Sequence, residues 1–235
     1  MLPVILLPGL ACDANLWHAQ LPALAARHWV HVSDAHTRAA TLPAMAQCLL
    51  DGLPPREPVV LVGSSMGAML ALHVQRLAPE RVRAMALLST SARADTPELV
   101  KLRGDAIELF EQGRAAEVLE TNAAFAFHPE HAKDDELVRT YIAEILRAGP
   151  AQLVAQNRAL MAGPDLRPGL PLVRCPVLVA CGSHDVVTPL LHSREIAEAI
   201  PGARLEVVER AGHLMTWEQP DAVNALLLGW LATLG

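Results

Sequence analysis

The sequence predicts an α/β domain built on a doubly wound, mostly parallel sheet of about six strands, with an inserted helical cap. Three observations predict it. Short apolar runs of strand length alternate with longer stretches whose apolar residues recur at helical spacing. The runs Val59–Gly63 and Val177–Cys181 are rich in valine and lack polar alternation, as strands covered on both faces do. From 93 to 170 the alternation stops, and that segment contains no convincing strand.

In chain order the predicted strands are Pro3–Leu7, Trp29–Ser33, Val59–Gly63, Ala84–Ser89, Val177–Cys181 and Leu205–Glu209. Helical patterns fall at Leu16–His28, Leu42–Leu53, Met66–Ala78, Leu190–Ile200 and Asp221–Leu234, with Pro220 near the start of the last, where a missing N–H costs little. Strand–helix–strand repetition of this kind specifies a parallel sheet with helices on both faces. Within the interruption, Leu99, Leu102, Ala106, Ile107 and Phe110 share one helical face, and so do Leu137, Tyr141, Ile145 and Leu146. Asp134 and Asp135 suit a helix N-terminus, where the macrodipole favours negative charge. Gly163-Pro164 and Pro168-Gly169 punctuate the return to the sheet. The expected division is a core of 1–92 and 171–235, with 93–170 as a cap over the carboxyl ends of the strands.

Composition narrows the function. Apolar residues make up 52% of the 235, enough for a packed core rather than a disordered chain. A net charge of −6 gives no basic surface for phosphate backbones, so no nucleic-acid partner is expected. Met1–Ala11 is apolar and precedes Cys12, but Pro3 and Pro8 interrupt it and no Lys or Arg leads it; a first strand fits better than a lipoprotein signal. No stretch is long enough to span a membrane. Cys12, Cys48, Cys175 and Cys181 show no zinc-site spacing and read as reduced, space-filling thiols of a cytoplasmic protein. No metal or cofactor is expected; the expected partner is a small acyl substrate.

The strand Val59–Val62 runs into Gly63-Ser64-Ser65-Met66-Gly67, and a helical pattern follows at once. This is the G-x-S-x-G nucleophile elbow in its strand–turn–helix setting. So sharp a turn strains the central serine and crowds the residues two before and two after it, which explains both glycines. Ser65 is the candidate nucleophile; Ser64 lacks the flanking spacing. Serine needs a base. Among ten histidines, His213 follows the last strand on the tight turn Arg210-Ala211-Gly212, whereas His18, His73 and His192 lie in helical patterns. The acid should fall between nucleophile and histidine in chain order, and Asp185 follows the fifth strand in Gly182-Ser183-His184-Asp185. Asp95, after the fourth strand, is its rival. The oxyanion donors are expected to be the N–H groups of Met66 and of Leu10, in the turn after the first strand.

Taken together, Leu7-Pro8-Gly9-Leu10 with Asn15-Leu16-Trp17, the elbow, Ala78-Pro79-Glu80-Arg81-Val82, Gly182–Asp185 and Gly212-His213 resemble the α/β-hydrolase family, in particular its small cytosolic members with a helical cap. The resemblance covers nearly the whole chain. It departs in three places. Pro8-Gly9 stands where most relatives have His-Gly. Asp34-Ala35-His36-Thr37-Arg38 replaces a common Asp-x-x-Gly-x-Gly turn. The chain also starts at what relatives have as their third strand. A serine at the elbow argues against the dehalogenases and epoxide hydrolases, which use Asp, and the dienelactone hydrolases, which use Cys. The implied activity is hydrolysis of a small ester, thioester or lactone, with cleavage of a β-diketone carbon–carbon bond, or a non-catalytic receptor or scaffold, as alternatives. Perhydrolysis is a side reaction of such sites. Phe125, Phe127, Tyr141 and Met161 could line an acyl pocket or serve as core, and Gln156 and Arg158 could face the cleft or solvent.

Overall fold

The computed structural model describes residues 1–54 and 57–235. Six strands form one sheet: β1 (Pro3–Leu7), β2 (Trp29–Val32), β3 (Val59–Ser64), β4 (Val82–Leu88), β5 (Val177–Gly182) and β6 (Arg204–Val208). They lie in the order β2-β1-β3-β4-β5-β6, and each neighbouring pair is parallel. Parallel neighbours need crossovers, which are supplied by α1 (Gln20–Ala25), α2 (Leu42–Gly52), α3 (Met66–Leu77) and α7 (Leu190–Ala199). Between β4 and β5 come α4 (Pro97–Glu111), α5 (Ala115–Ala126) and α6 (Asp135–Met161); α8 (Met215–Glu218) and α9 (Pro220–Ala232) follow β6.

Strand alternation sorts the core into two layers. Ile5, Leu7, Leu61, Met85 and Val179 pack with Met45 of α2, Val74 of α3 and Ile196 of α7. Val4, Leu6, Val60, Val62 and Leu178 face the other way, onto Leu24 of α1 and Leu227 and Leu231 of α9. β3 and β5 are therefore buried along their whole length, the cause of their valine-rich runs. β2 is an edge strand, and Trp29 is half exposed. From β1 the chain steps outward to β2, then crosses back to β3. The carboxyl ends of β1 and β3 consequently flank the switch point of the sheet, where a crevice opens. Ser65 and the Gly9-Leu10 turn lie there.

Some expectations need correction. The predicted helix Leu16–His28 is broken into a 3₁₀ turn, Ala14–Trp17, and the short α1. Pro22 lacks an N–H and its ring would strike the carbonyl of residue 18, so no helix can run through His18 into α1. Leu102 is 64% exposed, because Arg103 takes the inward position between Leu99 and Ala106 and pairs with Asp95 and Asn157. Leu146 is also exposed, about 100° around α6 from the buried Ile145. α6 is two helical pieces meeting at Gly149 (φ 81°), just before Pro150. Asp134 caps its start by accepting from the N–H groups of Glu136 and Leu137. α5 has no counterpart among the helical patterns of the sequence. α4, α5 and α6 share a small core of their own, Ile107, Phe110, Leu119, Ile145 and Leu153, to which the turn after β1 adds Ala11.

No described helix is long and apolar enough to cross a membrane, and all four cysteines are free.

Candidate active site

Ser65 joins β3 to α3 with φ 54° and ψ −117°, in the left-handed half of backbone space that a residue with a Cβ enters only under constraint. The constraint is visible. The Ser65 N–H donates to the Leu88 carbonyl at 2.8 Å, and its own carbonyl accepts from Thr90 Oγ1 at 2.9 Å and from the Ala68 N–H at 3.0 Å. A side chain at Gly63 would lie 2.5 Å from the backbone of Gly67 and Ala68, and one at Gly67 would overlap the Leu7 carbonyl. Both glycines of the elbow are thus fixed by close backbone approach.

His213 Nε2 stands 3.0 Å from Ser65 Oγ. Its Nδ1 lies 3.0 and 3.2 Å from the two Asp185 oxygens. A carboxylate only accepts, so Nδ1–H donates to Asp185 and Nε2 is left to accept from the serine hydroxyl. The Asp185 side chain is fully buried. Burial pushes its carboxyl up, but the His213 charge and hydrogen bond and the Thr188 N–H and hydroxyl at 2.8 and 2.9 Å hold it below the usual carboxylate range; the Val187 N–H also donates to it at 3.0 Å. The structure therefore brings Ser65, His213 and Asp185 into one line. Asp95 is elsewhere, paired with Arg103 at 2.7 Å.

The turn after β1 closes against the elbow: a side chain at Gly9 would stand 3.5 Å from Ser65 Cβ. Leu10 is the next residue of that turn, Met66 follows Ser65 as the first residue of α3, and the Met66 N–H is one of the donors a helix start leaves without an intrahelical acceptor. Beside this turn is a cavity of about 620 Å³ whose walls include Pro8, Ala11, Asp34, Glu144 and Arg147, but neither Ser65 nor His213.

Several contributors escape the sequence. Glu218, its side chain fully buried, accepts from the Gly212 N–H at 2.7 Å and the His128 N–H at 2.6 Å, and meets His131 Nδ1 at 3.0 Å. The His213 N–H donates to the Ala126 carbonyl at 2.8 Å. The helical insertion is thereby bonded to the loop that carries the histidine. His184 packs edge-on against His128, with ring centres 4.2 Å apart. Phe127 is core and meets Tyr141 edge-on, Phe125 is exposed, and Met161 packs against the core of the insertion. Arg158 pairs with Glu111 on the surface, whereas Gln156 is buried beneath the turn after β1. Among the described residues, no group of three His, Cys, Asp or Glu is placed to hold a metal ion.

A model of the alpha/beta hydrolase family matches residues 4–226. The chain belongs to the alpha/beta hydrolase family. The enzyme is 30% identical to a Mycobacterium tuberculosis protein named "putative non-heme bromoperoxidase BpoC", over 98% of this chain and 94% of that one. It is 30% identical to the pimeloyl-[acyl-carrier protein] methyl ester esterase of Aeromonas hydrophila, over 89% of this hydrolase and 87% of the relative. Among solved structures, a thermophilic esterase from Thermogutta terrifontis superposes with a TM-score of 0.90 at 28% identity, covering 100% of this chain and 90% of that one.

Proposed function

We propose that this hydrolase cleaves a small carboxylic ester, thioester or lactone through an acyl-enzyme on Ser65. The observation that carries it is the unbroken line from Asp185 through His213 Nδ1 and Nε2 to Ser65 Oγ. In this scheme Ser65 Oγ attacks the acyl carbon while His213 Nε2 takes its proton. Asp185 holds the tautomer that leaves Nε2 free and stabilises the imidazolium. The N–H groups of Leu10 and Met66 receive the developing oxyanion, helped by the positive end of α3. His213 then returns the proton to the leaving group, and water repeats the sequence to release the acid. Relatives named as esterases support this substrate class. Segment 93–170 acts as the roof over the site, and four free thiols support a cytoplasmic setting. Hydrogen peroxide can replace water in the second half-reaction and yield a peracid, a side activity in keeping with the relative named for a bromoperoxidase.

The test is turnover of nitrophenyl acetate or butyrate by the wild type, Ser65→Ala and Ser64→Ala, with fluorophosphonate labelling alongside. Turnover and labelling are expected in the wild type and Ser64→Ala, with EDTA having no effect, and both are expected to vanish in Ser65→Ala. A wild type that neither labels nor turns over would make the protein a scaffold. Labelling that survives Ser65→Ala would place the nucleophile elsewhere.

A further inference from the structure

The turn after β1 is held by a closed ring of hydrogen bonds that no catalytic step uses. Ala11 is 2% exposed and has φ 54°, a conformation that a residue with a Cβ keeps only when its surroundings impose it. Its N–H donates to Gln156 Oε1 at 2.7 Å. Gln156 Nε2 donates to the His36 carbonyl at 3.0 Å, and His36 Nε2–H donates to the Cys12 carbonyl at 2.9 Å. The Cys12 N–H closes the turn onto the Gly9 carbonyl at 3.2 Å. Gly9, Ala11 and Cys12 are all fixed through their main chain, and Leu10 lies between them.

The side chains suit the task. Gln156 is 1% exposed and sits on the second piece of α6, beyond the Gly149 turn. A primary amide offers an acceptor and a donor at one tip, and its partners dictate which end faces which. His36, 3% exposed, comes from the Asp34–Arg38 segment after β2 and supplies the ring that reaches Cys12.

We propose that Gln156 and His36 are positioning residues that aim the Leu10 N–H at the oxyanion; this rests on Ser65 being the acyl carrier. Gln156 belongs to the insertion, so the roof would tune transition-state stabilisation as well as substrate fit.

The experiment uses the full chain with Gln156→Leu and Gln156→Glu, each checked for folding. Steady-state turnover of nitrophenyl butyrate is measured with the inhibition constant of phenylboronic acid, whose adduct on serine carries a tetrahedral anion. Deleting an oxyanion donor costs about 10²–10³ in kcat, so displacing one in Gln156→Leu is expected to cost about 10- to 100-fold. KM should change little, and boronate affinity should fall with kcat. Unchanged kcat and boronate affinity beside a lowered melting temperature would overturn the proposal. Gln156→Glu decides the matter even where the leucine variant does not fold. Its carboxylate accepts from Ala11 but donates to His36 only when protonated, so its kcat relative to wild type should rise as pH falls. A flat ratio would overturn the proposal. If wild-type turnover survives Ser65→Ala, the acyl-enzyme itself is wrong and this role falls with it. Ser65-dependent turnover that ignores Gln156 would remove this role alone.

Discussion

Gly182, at the end of β5, and Gly212, just before His213, pass so closely that a side chain on Gly182 would overlap the Gly212 carbonyl oxygen and lie 2.5 Å from that of Ala211. The His184 N–H donates to that Ala211 carbonyl at 2.9 Å. The loop carrying Asp185 and the loop carrying His213 therefore have no slack between them. Gly182→Ala should force them apart and lengthen the 3.0 Å contact between Asp185 and His213. We expect ester turnover to fall by about 10²-fold or more, since misplacement of about 1 Å costs that much. Purified variant and wild type, compared at matched circular dichroism, give the answer; a fully active Gly182→Ala would show that the crossing can relax.

Asp185 and Asp95 should separate cleanly. Asp185→Asn keeps the shape but loses the charge and lets the His213 tautomer change, a loss on the order of 10⁴ in kcat by analogy with serine proteases. Asp95→Asn only weakens a pair with Arg103 away from His213, so its turnover should stay near wild type. The assay is one nitrophenyl ester with both folded variants, and a dead Asp95→Asn beside an active Asp185→Asn would move the acid to the loop after β4.

Glu218 should matter to stability. Glu218→Ala strands the Gly212 and His128 N–H groups, at about 1–3 kcal/mol for each buried donor. Glu218→Gln restores an acceptor on one side only, so its urea midpoint should lie between those of the wild type and the alanine variant. An alanine variant as stable as the wild type would mean that water replaces the carboxylate.

His73, fully buried on α3 with neither ring nitrogen bonded among the described residues, gives a pH signature. Burial first, and the Arg76 charge second, lower it from 6.5 to about 4. Between those values the unfolded chain binds the proton and the folded chain does not, so stability rises with pH across this window. The contribution is present above pH 6.5 and is lost as pH falls through 4, amounting to about 2 kcal/mol between pH 7 and pH 5. His73→Leu should flatten that slope in urea denaturation. An unchanged slope would assign it to other groups.

The legibility of this chain follows the kind of force involved. Strand ends were readable to within two residues because valine runs and flanking glycines are local signals, and Gly63 and Gly67 announce the elbow by the backbone contacts that forbid a Cβ. Asp185 and His213 could be picked out because each lies on the loop after a strand, in the chain order the fold requires. Glu218, Thr90 and Gln156 could not. Glu218 bonds across 90 residues and Gln156 across 145, and no local pattern distinguishes a buried carboxylate or amide on a helix from an exposed one. The first helix failed for a local reason, Pro22, legible once its ring is set against the carbonyl of residue 18. Leu102 and Leu146 failed because a face drawn from apolar spacing does not say where its rim lies.

The bond from the His213 N–H to the Ala126 carbonyl bears on how enzymes of this shape could diversify or be redesigned. A helical insertion transplanted from another enzyme must bring a carbonyl into register with that one amide, and an N–H in place of that of His128 for Glu218 to accept. Excising 93–170 outright would release the histidine loop. Grafts that start after α4 and rejoin the host before Ala126 leave this junction untouched.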